Sequence, residues 1–166
     1  MRKINQQEFL DKVSEVAFMV EKEKNNLIDN LYKTHPAGKY FFESLKTLSF
    51  HEPTKDIFDK LLTSAENAIL AFFLLAKENP LIKSISIDQY ENALNKNKLD
   101  FSNIAENDTV NKPMIESFLL KSLQPAIYTL LYLTFPQVAQ NDWDKSIAFL
   151  IFLRVKSFID CLSQSY

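Results

Sequence analysis

Apolar residues recur along most of the chain at intervals of three and four, the spacing of one face of an α-helix. Phe9, Val13, Val16, Val20, Leu27 and Leu31 keep that rhythm and predict a helix over about 5–33. The stripe lapses at Glu21-Lys22-Glu23-Lys24-Asn25-Asn26, so this stretch either projects into solvent or contains a break. His35-Pro36-Ala37-Gly38 reads as a turn: Pro36 pushes His35 out of the α region, and Gly38 permits a left-handed angle. A short helix follows over about 39–49, with Phe41, Leu45 and Leu48 on one face, widened by Tyr40 and Phe42.

Pro53 suits the first turn of a helix over about 53–79. Ile57, Phe58, Leu61, Leu62 and Ala65 make its first half amphipathic. From Ala68 to Ala76 it is apolar all round, which implies burial on every side. Pro80 stops it. Ser86-Ile87-Asp88-Gln89 has the spacing of a capping box and opens a short helix over about 86–97. Residues 98–110 read as a polar loop that Leu99, Phe101 and Ile104 pin to the bundle. A further helix runs from Asn111 to Phe135, with Pro113 in its first turn. Pro125 inside it demands a kink or two abutting segments, and Pro136 ends it. Asp142 is a natural N-cap for the last helix, about 143–163.

Period-two alternation is almost absent, and one Gly in 166 residues is too few for the hairpins of a sheet protein. The fold class is therefore all-α: one domain over 1–166, a bundle of four long helices and two short ones. The helices at 53–79, 111–135 and 143–163 should be central, with the first helix covering one side. A chain this long buries about 70% of its unfolded surface and folds without metal or disulfide.

Charge narrows the functions. The 19 basic and 21 acidic residues are evenly spread, and the only arginines are Arg2 and Arg154. No segment carries the positive field or the arginine forks of a nucleic-acid binder. Met1–Glu8 is followed by no apolar run, so it does not read as a secretion signal, and the C-terminal residues are not a prenylation box. The apolar runs fall short of the ~20 residues of a membrane span. A soluble, cytoplasmic protein is expected.

Candidate chemistry is sparse. His35 and His51 lie in turns beside prolines and read as residues bonded to nearby backbone. Glu52, Asp56, Asp59 and Glu66 share a stripe that could hold a cation, but interleaved lysines make it a solvated face. Cys161 stands at a helix C-terminal end, where the dipole disfavours a thiolate. Arg154 interrupts the most apolar helix; it pairs with Asp160 or another carboxylate, binds an anion, or keeps its head in water. The pattern implies no cofactor and no metal.

The aromatic residues are the most suggestive feature. Tyr40-Phe41-Phe42 and Phe50 offer more apolar surface than one narrow face can bury. Tyr40 and Phe42 flank Phe41, and at least one should be partly exposed. Tyr40, Phe42, Phe50 and Arg154 are accordingly the candidate binding residues. The reading is a non-enzymatic interaction or regulatory module, such as an adaptor, inhibitor or effector, binding a protein partner or a second copy of itself. The alternative is a bundle that encloses a small apolar ligand such as a lipid or pigment.

Overall fold

A computed structural model describes residues 1–48, 55–105, 117–138 and 142–166. Among them every regular element is helical, with no strand. The first predicted helix is two: α1, Gln6–Ala17, and α2, Glu21–Thr34. Asn5 caps α1 by accepting from the Glu8 backbone N–H at 2.9 Å. The break falls at Phe18–Val20, just ahead of the polar run rather than within it. Glu21 and Glu23 then occupy the first turn of α2, where carboxylates favour the positive helix end. The polar run thus marks a helix start.

The next turn is held by His35. Its backbone is extended, as Pro36 requires. Its fully buried ring accepts from the Ile85 backbone N–H at Nδ1 (3.1 Å) and meets the Tyr166 hydroxyl at Nε2 (3.1 Å). With Nδ1 accepting, Nε2 carries the proton and donates to Tyr166. The ring therefore ties this turn to a segment 50 residues on and to residue 166, not to neighbouring backbone. Gly38 lies inside α3, Ala37–Lys46, with an ordinary negative φ. It is needed for proximity: a Cβ there would stand 3.2 Å from Leu31 Cγ and 3.3 Å from a Tyr32 ring carbon.

The long apolar helix is α4, Lys55–Ala76. Ala68 through Phe73 are all buried, as all-round apolarity demands. Residues 77–86 lead away without helix. Ser86 and Gln89 form the reciprocal capping box: Ser86 Oγ accepts from the Gln89 N–H, and Gln89 Oε1 from the Ser86 N–H. The helix they open, α5, spans Ile87–Ala105 and absorbs residues 98–105 of the expected loop. Leu94, Asn97 and Phe101 continue one face, and the Phe101 ring packs tilted against Phe149 with centroids 4.1 Å apart. Leu99, expected to pin a loop, faces solvent on the outer side.

Pro125 separates two segments. Residues 117–120 make a helical turn, and α6, Pro125–Thr134, begins at the proline itself, where no N–H is required. A 3-10 turn, Phe135–Val138, carries the chain through Pro136. Gln124 before α6 straps down the N-terminal residues, accepting from Ile4 N at 2.9 Å and donating to Arg2 O at 3.1 Å. The last helix, α7, is Asp142–Ser165.

The packing centres on α4 and α7. Helix α1 lies along one side of α4, α7 along another, and α5 covers the far side of α7. Of the segment 111–135 that the sequence placed at the centre, 111–116 lie outside the described residues; in the rest Leu119, Ile127, Tyr128, Leu131 and Phe135 are buried, and α5 makes the longer seam with α7.

Burial pushes the His35 imidazole down from 6.5 to about 4. The folded state therefore refuses a proton that the unfolded chain accepts below 6.5. Its contribution is complete above pH 6.5 and is lost as pH falls through 6.5 toward 4. Urea unfolding at pH 7.5 and pH 4.5 should show that loss, on the order of 2 kcal/mol. A His35→Gln variant should lose most of this dependence.

Candidate functional site

Helices α5 and α7 run antiparallel, since Tyr90 meets Phe158 near one end and Phe101 meets Phe149 near the other. Between them, bounded also by residues 83–89 and 118–123, lies an open groove of about 700 Å³. Its floor is an ion pair on α7. The side chains of Lys156 and Asp160 are 4% and 14% exposed, one helical turn apart, with Nζ 2.7 Å from Oδ2.

Buried charges persist only when their remaining hydrogen-bonding capacity is met. Here it is. Lys156 Nζ also donates to Asn97 Oδ1 at 2.9 Å and lies over the Tyr128 and Phe118 rings, 4.7 and 5.1 Å from their centroids. Asp160 accepts from the Tyr128 hydroxyl at 2.6 Å and from Asn97 Nδ2 at 3.1 Å. Asn97 Nδ2 reaches Ser157 Oγ as well, and Ser157 donates to Leu153 O. The network links α5, α6 and α7 through side chains alone.

The Tyr128 phenol and the Cys161 thiol are poorly suited to proton transfer or nucleophilic attack near neutral pH. Burial, and then the Asp160 charge, push the Tyr128 phenol well above its ordinary value. Burial first and Asp160 second push the Cys161 thiol up to about 12, against a small opposing pull from Lys83. Cys161 is thus a thiol, with Sγ 3.7 Å from the Gln89 carbonyl. Among the described residues no cluster of three His, Cys, Asp or Glu could hold a metal ion.

The groove rim differs from its floor. Lys83, Lys96 and Lys121 line it, exposed, and none is ion-paired among the described residues. Among the described residues Asp100 is the one carboxylate of the rim, one helical turn from Lys96 on α5. Ile85, Ala93, Phe118 and Leu123 give the walls apolar patches between polar ones.

The residues singled out from sequence lie elsewhere. Phe42 is 8% exposed, packed on Phe41 (5.0 Å) and Tyr32 (6.0 Å). Tyr40 is half-buried and its hydroxyl donates to Glu91 on α5. Phe50, like His51 and Glu52, lies outside the described residues. Arg154 is half-buried on a different face of α7 from the groove floor; it does not pair with Asp160, and its Nη1 donates to Leu150 O at 3.3 Å. Of the acidic stripe, Asp56 and Asp59 face solvent and Glu66 pairs with Lys24 at 2.6 Å. The groove went unnoticed, although Lys156 and Asp160 four apart within the most apolar helix were a legible sign of it.

Comparison of the chain with protein-family models, curated proteins and solved structures finds no match. Among the described residues no helix is long and apolar enough to cross a membrane.

Removing one member of a buried pair strands the other charge. Lys156→Met should cost about 3–5 kcal/mol in urea unfolding. The double change Lys156→Met with Asp160→Leu should recover a large part of that, because no charge is left buried. A double variant as unstable as the sum of its singles would show that the two side chains are not coupled.

Proposed function

We propose that the chain is a non-enzymatic, helical protein-binding module whose α5–α7 groove receives an acidic segment of a partner protein. The charge of the rim carries this reading. Among the described residues three lysines without an ion pair and one aspartate, Asp100, line the opening, while the fourth lysine, Lys156, is neutralised beneath by Asp160. A carboxylate-bearing segment complements that rim, and the apolar patches at Phe118 and Leu123 accept the side chains between its charges. Lysines suit such a partner: they attract carboxylates as point charges without the planar geometry that reads phosphates and bases.

The groove's form favours this over a bundle that encloses a lipid or pigment. It opens to solvent and its lining alternates polar with apolar, whereas a buried apolar ligand calls for a mostly apolar, enclosing wall. The aromatic α3 surface supports docking less than its sequence suggested, since Phe42 belongs to the core and only Tyr40 retains an exposed flank.

Titrating the full chain with a 12-residue peptide of alternating Asp/Glu and Leu, followed by amide NMR shifts, tests the reading. Saturable shifts are expected in α5, residues 118–123 and the second half of α7, weakening steeply with salt. Lys83→Glu, Lys96→Glu and Lys121→Glu together should weaken binding at least tenfold with stability nearly unchanged, as rim charges contribute little to folding. Absence of saturable shifts, or shifts confined to other surfaces, would contradict the proposal.

A further inference from the structure

Residues 77–86 cross from α4 to α5 as a strap on the surface, and few contacts hold it. Leu81, Ile82, Lys83 and Ser84 are exposed, and Ile85 is the one buried residue of the stretch. Between Pro80 and Ile85 the backbone is anchored at three places. The Ile82 and Lys83 N–H groups donate to Ser165 O at 2.7 and 3.4 Å. Ile85 O accepts from the Ala37 N–H at 3.2 Å, and the Ile85 N–H donates to His35 Nδ1 at 3.1 Å. Of these anchors only the His35 ring can gain or lose a proton near neutral pH.

The Nδ1 bond exists only while the ring is neutral. A backbone N–H needs a lone pair to donate to, and protonation replaces the Nδ1 lone pair with a second N–H. Two donors would then face each other across 3.1 Å. The other nitrogen is unaffected, because Nε2 donates to the Tyr166 hydroxyl in both states. The proton thus acts on the strap and spares the residue that follows α7.

Nothing around the ring would compensate the new charge. Phe73 of α4 and Tyr166 pack against it with centroids 5.8 and 5.5 Å away. Burial raises the Tyr166 phenol above its ordinary value, so it stays neutral. On the surrounding elements, Lys33, Lys39, Lys77, Glu78, Lys83 and Asp88 are exposed, and Asp160 of α7 is held by Lys156. Burial is the one cause that shifts the imidazole, with no charged neighbour acting on it.

We propose that His35 is a proton-controlled latch: protonation of its ring releases the strap at 80–85 while the helices stay folded. Lys83 and Ile85 line one end of the α5–α7 groove, so release opens that end and removes one lysine from its rim. The latch rests on the His35–Ile85 geometry and stands or falls apart from the function proposed for the groove.

Native-state hydrogen exchange of the Ile82, Lys83 and Ile85 amides, corrected for the intrinsic rate at each pH, reads the open fraction of the strap. The ring titrates at about 4 when latched and near 6.5 when free. The open fraction should therefore be flat above pH 7, rise below 6.5 and be roughly 30-fold higher at pH 5 than at pH 7.5. At both pH values these amides should open more readily than those of 68–76, which marks release as distinct from unfolding. In His35→Gln the side-chain oxygen can accept from the Ile85 N–H without titrating, so the strap should stay closed and the rise should vanish. His51→Gln leaves His35 as the only histidine and should keep the rise, so this variant decides the matter if His35→Gln does not fold. Strap protection that does not change with pH, strap amides as protected as 68–76, a rise that survives His35→Gln, or one that is lost in His51→Gln would each overturn the proposal.

Discussion

The architecture follows from one constraint: the segment Ala68–Ala76 of α4 is apolar all round, and in it only Leu74 is less than fully buried. Ala68 through Phe73 are buried without interruption, so at least three neighbours must close around the same turns. Small residues at 65, 68 and 71 let other backbones approach, while Ile69, Leu70, Phe72 and Phe73 fill the space between. Helix α1 takes one flank and α7 another, with α2, α3 and the 3-10 turn completing the cover. Because α7 spends one face on α4, it has another for α5, and the groove exists at that second seam.

The seam combines two kinds of packing. Toward one end it is aromatic, with Phe41, Tyr90 and Phe158 mutually in contact. Toward the groove it is polar, and Lys156, Asp160, Asn97, Ser157 and Tyr128 exchange hydrogen bonds in a closed set. An apolar seam could slide by a turn at little cost. A polar network whose donors match acceptors in only one alignment fixes the register of α5 against α7, the best-attested role for a buried ionic group. The floor is thereby rigid and self-satisfied, so that the rim lysines rather than the buried pair remain for a ligand.

Much of this order was legible beforehand. All-round apolarity located α4 and an apolar run located α7, Pro125 marked a break that proved to be the start of α6, and the Ser86–Gln89 capping box located the start of α5 to within a residue. Other features depend on partners distant in sequence, which periodicity does not reveal. Phe42 read as a possible surface residue because nothing along α3 says that Tyr32 of α2 will cover it. His35 looked local, yet its partners are Ile85 and Tyr166. Residues 98–105 looked like a loop because their buried face is narrow and partly polar; Asn97 becomes a core residue only once Asp160 and Ser157 are opposite it. The aromatic residues drew attention from the sequence, whereas a single Lys156 amid apolar neighbours looked incidental.

If α4 is the buried axis, its central amides must be the last to open. Native-state hydrogen exchange on the full chain measures this residue by residue. The amides of 68–76 and of the second half of α7 should exchange only through global unfolding, with one common free energy, while α2 and residues 77–86 exchange through smaller openings. Exchange in 68–76 as fast as in α2 would contradict the account, because a helical segment that is apolar all round cannot open before the elements that cover it.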